Sequence, residues 1–219
     1  MAFLTEKDQQ YVRNLFENLK DDVKLIMFTQ ELECQYCRET RQILEEVSDL
    51  SEKISLDIYD FQTDTEFVEK YNIDKIPATV IEGKKDYGVR YYGIPSGYEF
   101  SALLEDIVDV SKNDSGFSPA AKDLLAKVDK PLRLQVFATP TCPYCPKAIR
   151  MAHKAAIENS NITADAVEAT EFPHLSVRYN VRGVPRTMVG EDFPIEGAVP
   201  EMEFVEKILE AFETGSETA

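Results

Sequence analysis

Apolar residues fall along this chain in short runs and at regular spacings, and most of the pattern occurs twice. Tyr11, Val12, Leu15, Phe16 and Leu19 recur at helical spacing from Thr5 to Lys20, with Thr5 as the cap and Asp8 at the capping-box position. Lys24-Leu25-Ile26-Met27-Phe28 reads as a strand. Ile43, Leu44, Val47 and Leu50 share one face of a helix from about Tyr36 to Leu50, and Ile54, Leu56 and Ile58 alternate as in a strand. A short helix over Thr65 to Tyr71 precedes a strand from Ile73 to Ile81 entered through Pro77. After a turn at Gly83-Lys84-Lys85, Val89 to Tyr92 gives a strand and Tyr98 to Val110 an apolar-faced helix.

Lys112-Asn113-Asp114-Ser115-Gly116 is polar and turn-prone, which places the expected boundary between a unit at 1–116 and a unit at 117–219. Ser118-Pro119 opens a further helix to about Val128, as N-cap and first helical residue, and Lys130-Pro131 ends it. From there the plan repeats. Cys34 to Pro77 and Cys142 to Pro185 are both 43 positions apart, and Tyr71-Asn72-Ile73-Asp74-Lys75-Ile76-Pro77 is echoed by Tyr179-Asn180-Val181-Arg182-Gly183-Val184-Pro185. Gly93 with Glu99-Phe100 is echoed by Gly197 with Glu203-Phe204, the offset having slipped from 108 to 104. The slip predicts a hairpin shorter by four residues around Glu191-Asp192. Three landmarks in register make two copies of one β-α-β-α-β-β-α plan, each preceded by an extra helix. Glu213 to Ala219 reads as a frayed polar tail.

The chain's four cysteines are all spent on Cys34-Gln35-Tyr36-Cys37 and Cys142-Pro143-Tyr144-Cys145. Each pair follows an apolar strand and precedes a helix. At such a junction unpaired backbone N–H groups and the positive end of the helix dipole point at the first sulfur and favour its thiolate, the form that attacks disulfides. The second cysteine lies a helical turn away and can close on the first. The motif is a dithiol–disulfide centre, present twice: Cys34 and Cys142 are the expected nucleophiles, Cys37 and Cys145 the resolving partners. The competing reading is a Cys₄ zinc site, but its pairs usually lie roughly 15–20 residues apart, whereas Cys37 and Cys142 are 105 positions apart.

Composition narrows the field. A net charge of −16 in 219 residues repels nucleic acid and anionic membranes. No run approaches the roughly 18 apolar residues of a membrane span, and Met1-Ala2-Phe3-Leu4 leads straight into Glu6-Lys7-Asp8 without a secretory n-region or h-region. A cytoplasmic protein is therefore expected. Abundant Glu and the absence of Trp fit a thermophile weakly.

An α/β unit with C-x-x-C after its first core strand and an X-Pro about 40 residues later resembles the thioredoxin fold. Two in tandem resemble the two-unit protein disulfide oxidoreductases, or glutaredoxin-like proteins, of thermophilic archaea and bacteria. The residues that carry the likeness are the two cysteine motifs, Thr139-Pro140-Thr141 before the second, Ile76-Pro77, Val184-Pro185, and Tyr87-Gly88-Val89-Arg90-Tyr91-Tyr92-Gly93. The resemblance implies an α/β protein of two tandem thioredoxin-like folds, each a central mixed sheet flanked by helices. It implies reduction, oxidation or isomerisation of disulfides in other proteins, with no cofactor beyond the redox-active disulfides and no metal. It further implies that Pro77 and Pro185 follow cis bonds facing the cysteines, where the backbone of Ile76 and Val184 pairs with substrate as in strand addition. Tyr36 and Tyr144 either contact substrate or shield the sulfurs.

Departures limit the likeness. Glu196-Gly197-Ala198 stands where glutaredoxins hold glutathione with Gly-Gly, and Phe28 and Val136, six residues before each first cysteine, replace the buried acid of thioredoxins. His153 and His174 read as bystanders. The centres should differ: Glu31 and Glu33 oppose ionisation of Cys34, whereas Lys147, Arg150, Arg182 and Arg186 favour it at Cys142. Expected partners are protein thiols and disulfides and a thioredoxin-reductase-like flavoprotein. An electron carrier between that flavoprotein and a peroxidase would use the same four cysteines, and a redox-independent chaperone or zinc-binding structural protein is the reading of another class.

Overall fold

In the computed structural model, which describes residues 3–216, the expected elements form in the expected order. The first repeat runs α1 (Glu6–Phe16), β1 (Val23–Thr29), α2 (Cys37–Ser48), β2 (Ile54–Asp60), α3 (Thr65–Lys70), β3 (Ala78–Glu82), β4 (Asp86–Tyr92) and α4 (Tyr98–Lys112). The second runs α5 (Pro119–Leu125), β5 (Leu132–Ala138), α6 (Cys145–Glu158), β6 (Ile162–Glu168), α7 (Pro173–Arg178), β7 (Arg186–Val189), β8 (Phe193–Glu196) and α8 (Glu201–Ser216). Thr5 and Asp8 close a capping box on α1, and Ser118 caps α5 ahead of Pro119.

Several boundaries differ from the expectation: β4 begins at Asp86 rather than Val89, α2 ends at Ser48 and α5 at Leu125. Helix α1 stops at Phe16, although Leu19 is still buried. The strand expected from Ile73 begins at Ala78, because Pro77 has no N–H to give to the ladder and pairing with β1 starts at Phe28↔Ala78. The tail expected to fray from Glu213 is helical to Ser216, and residues 217–219 lie outside the described part. No helix among the described residues is long and apolar enough to cross a membrane.

Within each repeat the first strand pairs parallel with the second and antiparallel with the third, and the last two form a hairpin. The two four-stranded sheets do not stand apart. Strand β4 pairs parallel with β6, from Val89↔Ala164 to Tyr92↔Val167, giving one sheet of order β2-β1-β3-β4-β6-β5-β7-β8. One face carries the larger core, with Val12, Leu44, Ile107, Leu125, Ile149 and Ile208 from six helices, and the other carries a core around Phe28, Tyr71, Phe137 and Tyr179 beneath α3 and α7. Each fully buried Leu, Ile or Phe contributes about 1.5–3 kcal/mol.

The shorter second hairpin has a topological reason. Its turn, residues 190–192, matches the first turn, residues 83–85, in length, so the loss is in the strands: Ala78–Tyr92 against Arg186–Glu196. Strand β4 is central and must pair on both sides. Strand β8 is an edge strand, and its Pro194 withholds a donor there.

Polar groups are buried where the repeats meet. Asp106 on α4 accepts from the Tyr91 hydroxyl at 2.5 Å and lies 2.6 Å from His153 Nδ1 on α6, whose Nε2 donates to the Arg90 carbonyl at 3.1 Å. Asp106 and His153 are fully buried. His153, expected as a bystander, is thus part of the junction. Replacing Asp106 by Ala would leave its partners unsatisfied and should lower stability by about 3 kcal/mol, read by denaturant unfolding of the variant against the parent chain. Because the sheet is continuous, both chains should unfold in one transition, and two resolved transitions would contradict this picture.

Candidate active sites

The two cysteine pairs open α2 and α6, and both are closed as disulfides with Cα atoms 5.5 Å apart. Cys37 and Cys145 are the first helical residues, and the N-cap positions Tyr36 and Tyr144 make no side-chain capping bond, so no cap takes the first-turn N–H groups of either helix, of which Pro146 in α6 has none. The first cysteines lie just before the helices. The Cys145 N–H reaches Cys142 Sγ at 3.1 Å, and Cys142 Sγ lies 3.8 Å from the Val184 carbonyl oxygen, which brings the Val184–Pro185 segment against the second centre. Both Ile76–Pro77 and Val184–Pro185 are cis, as the resemblance implies.

The surroundings differ. Cys34 is partly exposed over a buried Cys37, while Cys142 is 7% exposed over a fully buried Cys145. Tyr36 is half-buried, whereas Tyr144 is 70% exposed; Leu32, beside the first centre, is 77% exposed. The loop from β1 to Cys34 is one residue longer than that from β5 to Cys142, so the counterpart of Phe28 in the sheet is Phe137 and not Val136, each facing the first residue of its hairpin. Both are apolar, so neither repeat places an acid at that position.

The cations expected to favour a Cys142 thiolate are engaged elsewhere. Arg150 lies across the junction against Glu105 and Asp109, Arg186 pairs with Glu196, and Arg182 donates to Asn180 at 3.0 Å. What the second centre has instead is the Cys145 N–H aimed at its sulfur.

A feature the sequence did not reveal is a group of buried acids behind the second centre. Glu168 ends β6 opposite Ala138, the last residue of β5 before the cysteine loop. It accepts from the Thr170 hydroxyl and the Glu171 N–H, and Glu171 in turn accepts from the Ile94 N–H at 2.7 Å. Glu99 and Glu168 are each 2% exposed, with one unpartnered carboxyl oxygen each. Burial, reinforced by Glu168 and Glu171, pushes Glu99 up to about 8; burial together with Glu168 pushes Glu171 up to about 7 against the Ile94 N–H. The repeat had paired Glu99 with Glu203, which is exposed because no further unit packs on it. Next to Glu99, Gly97 has φ +59 and packs on the cysteine loop: the Tyr98 N–H donates to the Pro140 carbonyl at 2.9 Å, and a Cβ on Gly97 would collide with that oxygen.

Among the described residues no group of three or more His, Cys, Asp and Glu side chains is placed to hold a metal ion.

The thioredoxin-domain family matches this chain twice, over residues 22–105 and 132–210. A protein disulfide oxidoreductase from Aeropyrum pernix superposes over 98% of this chain and 96% of its own with a TM-score of 0.91 and 26% identity. The NTD_N/C domain of the alkyl hydroperoxide reductase AhpF from Enterococcus faecalis superposes over 94% of this chain and 100% of its own, with a TM-score of 0.87 and 23% identity. The AhpF component of alkyl hydroperoxide reductase from Staphylococcus aureus is 24% identical over 187 residues, 84% of this chain but 34% of that protein, so the chain spans about a third of that relative's length. The chain belongs to the thioredoxin-domain family. Two C-x-x-C disulfides stand on two tandem copies of that fold.

The buried acids set a pH dependence. Glu99 has an ordinary value of 4.5 and a folded value near 8, so between these limits the native chain binds more protons than the unfolded one. This contribution to stability is fully present below about pH 4.5 and is lost as pH rises through 8. The melting temperature should fall from pH 6 to pH 9, and Glu99→Gln should flatten that slope. An equal slope in both chains by thermal unfolding would refute the assignment.

Proposed function

We propose that this chain exchanges disulfides with protein substrates through two centres divided between units 1–116 and 117–219. The observation that carries the reading is a C-x-x-C disulfide at a helix start and an X-cis-Pro bond in each repeat, with the Val184 carbonyl 3.8 Å from Cys142 Sγ at the second centre. In the reducing direction the Cys34 or Cys142 thiolate attacks a substrate disulfide, forming a mixed disulfide and expelling one substrate thiolate. Cys37 or Cys145 then attacks the enzyme sulfur of that bond, releasing the second substrate thiol and leaving the enzyme oxidised by two electrons. Oxidation is the reverse, and isomerisation uses the mixed disulfide alone. Ile76 and Val184 offer backbone to an extended substrate beside Pro77 and Pro185, while Tyr36, and more openly Tyr144, offer apolar contact.

Re-reduction needs an electron donor, and a thioredoxin-reductase-like flavoprotein supplies the matching chemistry. The likeness to the AhpF components of alkyl hydroperoxide reductases favours a second reading, in which the chain passes electrons from such a flavoprotein to a peroxidase.

Reduction of insulin by dithiothreitol tests the first reading. The double variant Cys34→Ser with Cys142→Ser should lose turnover to background, while each single variant keeps one centre working. Full turnover by the double variant would refute the reading. In single-centre chains, Cys142 should ionise at lower pH than Cys34, because its sulfur faces the Cys145 N–H while Glu31 and Glu33 precede Cys34. Absorbance at 240 nm during pH titration checks the order.

A further inference from the structure

The cis-proline segment of the first centre is held from the second repeat. Arg133 on β5 bonds Asp165 through Nε at 2.7 Å and Nη2 at 2.6 Å, and through Nη1 bonds Asp74 at 2.9 Å. Asp74 and Lys75 immediately precede Ile76–Pro77. Lys75 returns to Asp74 at 2.6 Å, with its ammonium 3.6 Å above the Tyr92 ring and its side chain 10% exposed. Asp165 is nearly fully buried. Burial pulls the Lys75 ammonium below its ordinary value, against Asp165 and Asp74, so the segment is seated in a charged socket at the seam between β4 and β6.

The repeat supplies an internal control. Arg133 corresponds in the sheet to Lys24, and Asp165 to Asp57; Lys24 pairs with Asp57 at 3.2 Å with both side chains in water, whereas Asp165 is buried and only the Asp74 arm of the Arg133 bridge is exposed. A lysine is a point charge and serves that one partner. The arginine fork reaches a second carboxylate, and the second carboxylate belongs to the other repeat's proline segment. In the second centre the residues corresponding to Asp74 and Lys75 are Arg182 and Gly183. Both are exposed, as Asp74 is, but Arg182 bonds Asn180 of its own loop and, among the described residues, pairs with no acid of the first repeat.

We infer that Arg133 is a positioning residue for the first redox centre: through Asp74 it fixes the Ile76–Pro77 backbone in the conformation that receives substrate, a support the second centre lacks. The inference rests on the proposed role of Ile76 and Pro77 in substrate pairing. Pre-organising that backbone lowers the ordering cost of binding, so the effect falls on KM and not on the sulfur chemistry.

The test uses two full-length single-centre chains, Cys142→Ser/Cys145→Ser and Cys34→Ser/Cys37→Ser, each with Arg133 or Arg133→Lys, assayed with a peptide carrying a disulfide and flanking fluorophores. Arg133→Lys keeps a cation for Asp165, as Lys24 does for Asp57, so the fold is preserved. At the first centre KM should rise about fivefold, with kcat held within about twofold. At the second centre both constants should stay unchanged. Asp74→Asn should produce the same KM rise, and the two substitutions together should add nothing further. Unchanged KM at the first centre, or equal change at both centres, overturns the inference while leaving the function intact. Failure of both single-centre chains to turn over any peptide disulfide overturns the function reading and the inference with it.

Discussion

The parallel pairing of β4 with β6 is the constraint from which most of the molecule follows. It turns an edge strand of each repeat into an interior strand and leaves β2 and β8 as the edges of the sheet. Tyr87 to Tyr92 are consequently buried on both faces, which suits a near-continuous aromatic and β-branched strand. Polar groups trapped at the same seam must find partners there. Asp106 with Tyr91 and His153 on the helix side, and Asp165 with Arg133 on the other, are how the chain satisfies them.

The seam also makes the two redox centres unequal, although each is built from the same motif. Residues exposed in one repeat have buried counterparts in the other, because only one member of each pair faces the junction. Glu99 is sealed beneath the second repeat while Glu203 stays in water. Lys24 pairs with Asp57 in water while Arg133 joins the buried Asp165 to Asp74 at the surface of the seam. Gly97 presses its backbone on the second centre's loop from the first repeat. Each unit thus leans on the other's chemistry, the first through α4 against Pro140 and the second through Arg133 against Asp74. A thioredoxin-like unit standing by itself has no such contacts.

Charge is distributed by the same logic. A net charge of −16 is tolerable because most carboxylates are solvated, where they keep the surface hydrated at little cost to the fold. The exceptions lie at the junction, where desolvation favours the protonated form of Glu99, Glu171 and Asp109. Of the arginines expected to bias the second centre, Arg150 is instead drawn to Glu105 and Asp109 across the junction, while Arg186 and Arg182 pair within their own repeat. Local sequence proximity to Cys142 misled here because a helix carries successive side chains around its circumference, and Arg150 points at the other repeat.

The sequence by itself determined the elements, the repeat and the chemistry. Period-2 and period-3.6 patterns, Thr5 and Ser118 as caps, and four cysteines in two C-x-x-C pairs are local signals, and local signals survive without knowledge of the fold. The opposing segments at Pro77 and Pro185 came from the resemblance to the thioredoxin fold, which their equal spacing from the cysteines supported. Only the tertiary structure decided how the two copies meet. Arg133 and Asp74 are 59 positions apart, and Asp106 and His153 are 47 apart. No periodicity encodes such pairs. Whether a carboxylate or guanidinium is solvated, paired or strained toward neutrality depends on what packs over it, and that is settled when the two sheets join at β4 and β6.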